Sequence, residues 1–268
     1  MLIPMRVQSP SSIKTYQQCP RKYYYNYVAK LPTLPNIHQL RGNIVHSVLE
    51  RFFQLDVGAV TKEDFRQVLH VKMQELLVEC WKEKEGALEK LGLEDENIVM
   101  FFEESMHMLD NWLKQFFAKL EKSPLPFDAA WKTQLPLEQE EQYVSERYGV
   151  RGFIDVVEQV GTEIRVMDYK TDKNPDVEKH KLQLAIYALL YQEKHGRLPT
   201  RAGIYFLKGD EEHVEVDEAL VEFAKREVEL IHQSTQSKDK VDYPKKISPL
   251  CKWRTGQCDF YDTCFGED

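Results

Sequence analysis

Asp168 and Lys170 stand two apart in the run VMDYKT, and Asp155 stands inside the apolar run FIDVV. Residues two apart on a strand point to one face of a sheet. If both runs are strands, Asp168 and Lys170 project together. A hairpin turning near Gly161 then brings Asp155 alongside them. Two carboxylates in a partly buried place repel each other and are costly to desolvate. A divalent cation removes both problems, and hard oxygen donors favour magnesium or manganese. A lysine beside the cation can orient a water or offset charge developing on a phosphate. Such an assembly supports phosphodiester hydrolysis. The competing reading has both aspartates ending strands and pairing with surface cations. An aspartate inside FIDVV weighs against it, because unpaired buried carboxylates are rare.

His46 lies in GNIVHSVLE with Glu50 one helical turn further, so the two share a face. A neutral imidazole would supply a third metal ligand. A core or surface histidine is the alternative, with Glu50 a supporting residue or a surface charge. Gln183 and Tyr187 are again one turn apart, in QLAIYALL. Facing the strand ends, they would bind a phosphate or position Lys170. Otherwise they are half-buried packing residues.

Of five cysteines, Cys251, Cys258 and Cys264 crowd into SPLCKWRTGQCDFYDTC, and Cys19 stands near the start. An odd number, with no apolar run typical of a secretion signal, argues against a disulfide framework. Four thiols are the number that a cubane cluster or a structural zinc needs. The separation of Cys19 from the others demands that the two ends of the sequence meet. Cys80, in an amphipathic helix, reads as a buried inert thiol.

These groups need elements to hold them. SPSSIKTYQQCPRKYYYNYV (9–28) reads as a helix capped by Ser11 or Ser12 and interrupted by Pro20. Apolar spacing predicts further helices over 40–55, 62–82 and 95–121, with a charged link at 83–94. From about 131 the period becomes strand-like, and VRGFIDVVEQV and TEIRVMDYK are expected strands. A helix over 176–194, a strand over 201–209, a helix over 217–233 and an irregular tail from 239 complete the reading. This is a mixed α/β core with a helical insertion at 56–125.

The 268 residues suit one domain, 1–268, and 42% hydrophobic content suffices for a core. No apolar stretch approaches the ~20 residues of a membrane span, so a cytoplasmic location is expected. The net charge of −8 argues against a nucleic-acid coat protein but not against a nuclease, whose contacts come from a local basic patch. Lys170, Lys173 and Arg41 are the expected phosphate contacts. The mixed run Arg21-Lys22-Tyr23-Tyr24-Tyr25-Asn26-Tyr27 suits base stacking, or its tyrosines pack beneath the cysteines.

In order, Gly42 to Glu50 (G-x-x-x-H-x-x-L-E), Gly152 to Asp155 (G-x-x-D), Asp168 to Thr171 (D-x-K-T) and Gln183 to Tyr187 (Q-x-x-x-Y) resemble the RecB-like nucleases of the PD-(D/E)xK superfamily. The opening 9–28 is similar too. The resemblance implies a restriction-endonuclease-like core: a mixed central sheet flanked by helices, with an N-terminal helical insertion. It implies His46, Asp155, Asp168 and the Tyr169 carbonyl as ligands of magnesium or manganese, and Lys170 as catalytic lysine. Gln183 and Tyr187 would support the active site and DNA. It further implies a [4Fe–4S] cluster on Cys19, Cys251, Cys258 and Cys264, as in the AddB nuclease domain and CRISPR-adaptation nucleases. The tail 249–268 would bind it, and structural zinc is the alternative. Six residues separate Cys251 from Cys258 where such relatives have two. The implied activity is a DNA exonuclease on single strands or ends, in recombination, repair or phage DNA metabolism. A helicase or recombination partner is conceivable and a membrane is not expected. A non-catalytic DNA-binding or scaffold module is the alternative.

Overall fold

Helices fill the first half of the chain, and one mixed sheet organises the second. The structure, a computed structural model, describes residues 6–34, 36–171, 176–254 and 256–266. Helix α1 (Pro10–Gln18) is capped by Ser9, whose side chain accepts from the Ser12 amide while the Ser12 hydroxyl accepts from the Ser9 amide. The cap lies before the expected Ser11 or Ser12, because Pro10 takes the first helical position, where a missing N–H costs nothing. Cys19 is extended and ends α1; α2 (Pro20–Tyr23) then runs into a π turn, Tyr24–Val28. Proline at 20 thus interrupts the expected 9–28 helix.

Four of the next five helices surround an aromatic core: α3 (Ile37–Phe52), α4 (Phe65–Glu83), α6 (Asp95–Lys122) and α7 (Phe127–Gln134), with α5 (Glu85–Glu89) in the charged link. Phe52, Trp112, Phe116 and Trp131 meet ring to ring, with Phe52 and Trp112 edge to face at 5.3 Å. Such contacts add to plain burial. The strand-like period expected from 131 is corrected here. Phe127, Ala130 and Trp131 are buried at helical spacing, and the first strand starts only at 138.

That sheet has the order β1 (Glu138–Ser145), β2 (Val150–Val160), β3 (Glu163–Lys170), β4 (Arg201–Phe206), β5 (Glu211–Glu215). Neighbours are antiparallel except β3 and β4. A parallel pair needs a crossover, and α8 (Lys181–His195) supplies it after a 3-10 turn at Val177–His180. Leu184 to Tyr191 are all buried, since α8 lies between the sheet and α9 (Glu218–Ser234). One sheet face therefore packs on α8 and α9, and the other on α3, α4, α6 and α7. Strand β4 stops at 206, short of the expected 209, and turns into β5, whose charged EEHVE run gave no strand signal. The tail carries a small hairpin, β6 (Lys252–Trp253) with β7 (Gly256–Gln257), and α10 (Tyr261–Phe265). Among the described residues no helix is long and apolar enough to cross a membrane.

Candidate active site and metal centre

The site begins with an irregularity shared by two strands. Gln139 pairs with Val156 and Glu141 with Ile154, while the couple between them, Glu140 and Asp155, is unpaired. Both strands change the phase of their side chains there. Val157 and Ile154 pack toward α8, although regular alternation would put them on opposite faces, and Val156 packs toward α3 and α6. Irregularities of this kind re-aim side chains beside active sites. Glu140 takes a left-handed φ of +45°, a conformation that costs a residue with a Cβ about 1–2 kcal/mol. Such strain persists only where the surroundings impose it.

His46, from α3, receives both carboxylates. Its Nδ1 lies 3.3 Å from a Glu140 oxygen and 3.5 Å from Asp155 Oδ2. Its Nε2 lies 3.1 Å from the Tyr169 carbonyl. A carbonyl can only accept, so Nε2 carries a proton, and two carboxylates draw another onto Nδ1. Burial alone would lower the pKa. Hydrogen bonds to Asp155 and Glu140, with the charges of Asp155 and Asp168, outweigh burial and push it up to about 10. Ligand atoms of His46, Glu140 and Asp155 lie within 4.8 Å of one another. A cation here would take the place of the imidazolium charge. Two carboxylate oxygens and an imidazole are a donor set suited to it.

Asp155 is buried, and its Oδ2 accepts the Tyr169 amide at 2.7 Å, just where the β2–β3 ladder ends at Val156 and Met167. Asp168, also buried, lies on the α8 side. Its Oδ1 accepts from Gln183 Nε2 at 2.7 Å and from the Tyr187 hydroxyl at 3.3 Å. Its Oδ2 is 2.5 Å from Lys170 Nζ. Burial raises the Asp168 pKa, Lys170 opposes that and Asp155 adds to it. Gly152 makes the arrangement possible. A Cβ there would stand 2.9 Å from Tyr187 Cε1, so only glycine admits the ring that reaches Asp168.

The structure thus brings His46, Asp155, Asp168, the Tyr169 carbonyl, Lys170, Gln183 and Tyr187 together. It adds Glu140, which the sequence reading missed; among EQEEQ nothing marks it except its register opposite Asp155. Glu50, among the described residues, takes no part in these contacts. A cavity of about 580 Å³ opens beside Asp155, Asp168 and Lys170.

One expected DNA contact changes. Arg41 is buried and ion-paired with Glu104 of α6, so it is a structural cation and not a phosphate contact. Lys173 lies outside the described residues. The tyrosine run turns inward: Tyr23 and Tyr25 are buried, and Tyr23 stacks on Tyr243. Arg21 donates to the Tyr243 carbonyl at 2.7 Å, which ties the start of the chain to its tail. Cys19, Cys251, Cys258 and Cys264 line one cavity of about 210 Å³, with Tyr25 and Phe260 in its wall. Burial pushes the Cys258 and Cys264 thiols up. Cys80 is buried in the helical core.

Comparison with known proteins bears on this site. CRISPR-associated exonuclease Cas4 of Francisella tularensis subsp. novicida (strain U112) is 30% identical over 122 residues, 45% of this chain and 58% of that protein. The chain therefore spans little more than half the length of the curated relative it matches. The crystal structure of a candidate exonuclease from Eubacterium rectale shares the fold, with a TM-score of 0.50 over 98% of this chain and 94% of the other at 12% identity. The family model of the PD-(D/E)XK nuclease superfamily matches residues 8–265. That span contains every group of the site, from His46 on α3 to Tyr187 on α8, and the chain belongs to the PD-(D/E)XK nuclease superfamily.

Proposed function

We propose that this nuclease hydrolyses phosphodiester bonds of DNA with magnesium or manganese, as an exonuclease on single strands or ends in recombination, repair or phage DNA metabolism. The observation that carries the reading is the convergence of Asp155, Asp168 and Lys170 on one cavity, with His46 Nδ1 3.5 Å from Asp155 Oδ2 behind it. His46, Asp155, Asp168 and the Tyr169 carbonyl would hold the cation, with Glu140 as a further carboxylate. The cation supplies Lewis acidity and neutralises phosphate charge. Lys170 keeps an ammonium at the cavity wall, where it can hold a phosphate oxygen or orient the attacking water. Gln183 and Tyr187 are positioning residues that fix the Asp168 carboxylate. In this reading 1–268 is a single nuclease domain with a helical insertion at 56–125. The protein acts in the cytoplasm, alone or beside a helicase or recombination partner.

The tail 249–268, with Cys19, would hold a [4Fe–4S] cluster. Four thiols around one cavity of about 210 Å³ support this assignment. A single zinc draws its four sulfurs to within about 3.8 Å of one another, given Zn–S bonds of about 2.3 Å, and needs no such space. Zinc remains the rival cofactor, with the same four ligands.

The test is cleavage of end-labelled single-stranded and duplex DNA against magnesium and manganese. Wild type should cut only with metal. Asp168→Asn and Lys170→Ala should fall to background while melting like wild type. Wild-type rates in either variant would refute the site. Binding without cleavage under every metal would favour the scaffold reading.

A further inference from the structure

Strand β2 carries more than Asp155 into the active-site cavity. Val150, Gly152 and Ile154 are buried, whereas Arg151 and Phe153 between them are exposed, Phe153 at 55%. Arg151, Phe153 and Asp155 all line the same cavity, and Lys14 of α1 stands in its wall. A lone exposed ring means little by itself. This ring sits two residues from a candidate metal ligand, with a guanidinium two residues beyond.

Two residues of extended strand cover about 6.8 Å, so the Phe153 ring lies within one or two nucleotide steps of the candidate metal centre. In a duplex, opening a base step costs unstacking energy, whereas an unpaired strand offers its base faces freely. Aromatic platforms flanked by cations are how proteins hold single strands without reading their sequence.

We propose that Phe153 stacks on an unpaired base of the strand entering the metal centre, and that Arg151 binds a phosphate beyond it. Strand β2 thereby selects single-stranded over duplex DNA. This rests on the nuclease reading above, but it is tested by binding and not by cleavage.

The probe is a short phosphorothioate-linked single strand, which resists hydrolysis, carrying the fluorescent base 2-aminopurine. Binding to wild type in magnesium should quench the fluorescence. Phe153→Ala should weaken single-strand binding about tenfold or more and abolish the quench, with the salt dependence unchanged. Phe153→Trp should restore both. Arg151→Ala should keep the quench but lower the slope of log K against log salt by about 0.7, the signature of one lost phosphate contact. Duplex affinity should barely respond to Phe153→Ala. Both side chains are exposed, so neither change threatens the fold. The proposal is overturned if Phe153→Ala binds and quenches like wild type, or if single-strand and duplex affinities fall equally. Wild type that cleaves DNA while Phe153→Ala behaves normally removes this proposal alone. Wild type that neither binds nor cleaves removes the nuclease reading with it.

Discussion

Glu140 and Asp155 stand opposite each other in β1 and β2, unpaired, and both turn their carboxylates to His46 Nδ1, at 3.3 and 3.5 Å. Residues opposite each other across an antiparallel pair share a sheet face, which is why the two carboxylates converge. The left-handed φ of Glu140 is the local cost of this arrangement. Evolution has a cheaper residue for that conformation, glycine, which lacks the carboxylate.

Glu140 can therefore be separated from its backbone. Glu140→Gln removes the charge and keeps the strain; Glu140→Gly removes both. Each should raise the metal concentration for half-maximal cleavage about tenfold, the scale of a lost supporting ligand. Glu140→Gly should be the more stable of the two by about 1 kcal/mol, or roughly 2–4 °C in melting temperature. Metal titration and thermal denaturation check both halves. An unchanged metal requirement in both variants would remove Glu140 from the centre.

Gly152→Ala tests the close approach on the other face. Its Cβ would meet Tyr187 Cε1 at 2.9 Å and Leu190 Cδ1 at 3.2 Å. Overpacking of this kind costs about 1–3 kcal/mol. The Tyr187 ring must move and release Asp168, so cleavage should fall about a hundredfold, the cost of a displacement near 1 Å. Tyr187→Phe, which loses only the hydroxyl, should fall less. In a double-mutant cycle, adding Tyr187→Ala to Gly152→Ala should cost little more than Gly152→Ala alone. A fully active Gly152→Ala protein would contradict the argument.

Much of this centre was legible because its spacings are local. Asp168 and Lys170 share a strand face, Gln183 and Tyr187 share a helix turn, and the hairpin through Gly161 joins Asp155 to them. What escaped depends on distant partners. Arg41 looked like a phosphate contact until Glu104, on another helix, claimed it. The tyrosines at 23 and 25 suited base stacking or packing beneath the cysteines, and only their distant tail partners Tyr243 and Phe260 decide for packing. Glu140 sits in a charged run, and only a left-handed residue opposite Asp155 singles it out. No helical or strand period encodes that.

His46 links metal binding to pH. Burial would lower its pKa, but the hydrogen bonds it donates to Asp155 and Glu140 and the charges of Asp155 and Asp168 lift it from 6.5 to about 10. The folded pKa is above the unfolded one. The imidazolium therefore stabilises the metal-free protein fully below pH 6.5, and that contribution is lost as pH rises toward 10. The melting temperature of metal-free protein should fall across this window. A metal takes only the neutral ring, so its affinity should rise with pH, by up to about tenfold per unit, with about one proton released. Calorimetric titration in two buffers of different ionisation enthalpy counts the proton. His46→Gln should flatten both trends. A wild-type protein that releases no proton would show that the metal does not displace the His46 proton.

The cysteine cavity makes a prediction that concerns stability and not chemistry. Cys19 ends α1, while Cys251, Cys258 and Cys264 lie in the tail, and all four line the same space. A cluster held there staples the first helix to the last residues. Phosphodiester hydrolysis needs no electron transfer, so losing a ligand should lower activity only as far as it lowers stability. Cys19→Ala should therefore resemble Cys251→Ala, Cys258→Ala and Cys264→Ala: colourless, less soluble and lower melting. Arg21 and Lys246 still tie start to tail, by bonds of 2.7 and 2.9 Å to backbone carbonyls, so these variants should weaken before they unfold. Cys80→Ala removes a buried thiol from the helical core and should cost no more than a small cavity, keeping colour and cleavage. Anaerobic purification with iron, sulfide and zinc analysis reads the cofactor directly. Iron and sulfide in equal amounts, lost together in each of the four variants, is the expected result. Zinc without iron or sulfide would replace the cluster by its rival, and a Cys19→Ala protein with full metal content and wild-type melting would break the four-cysteine set itself.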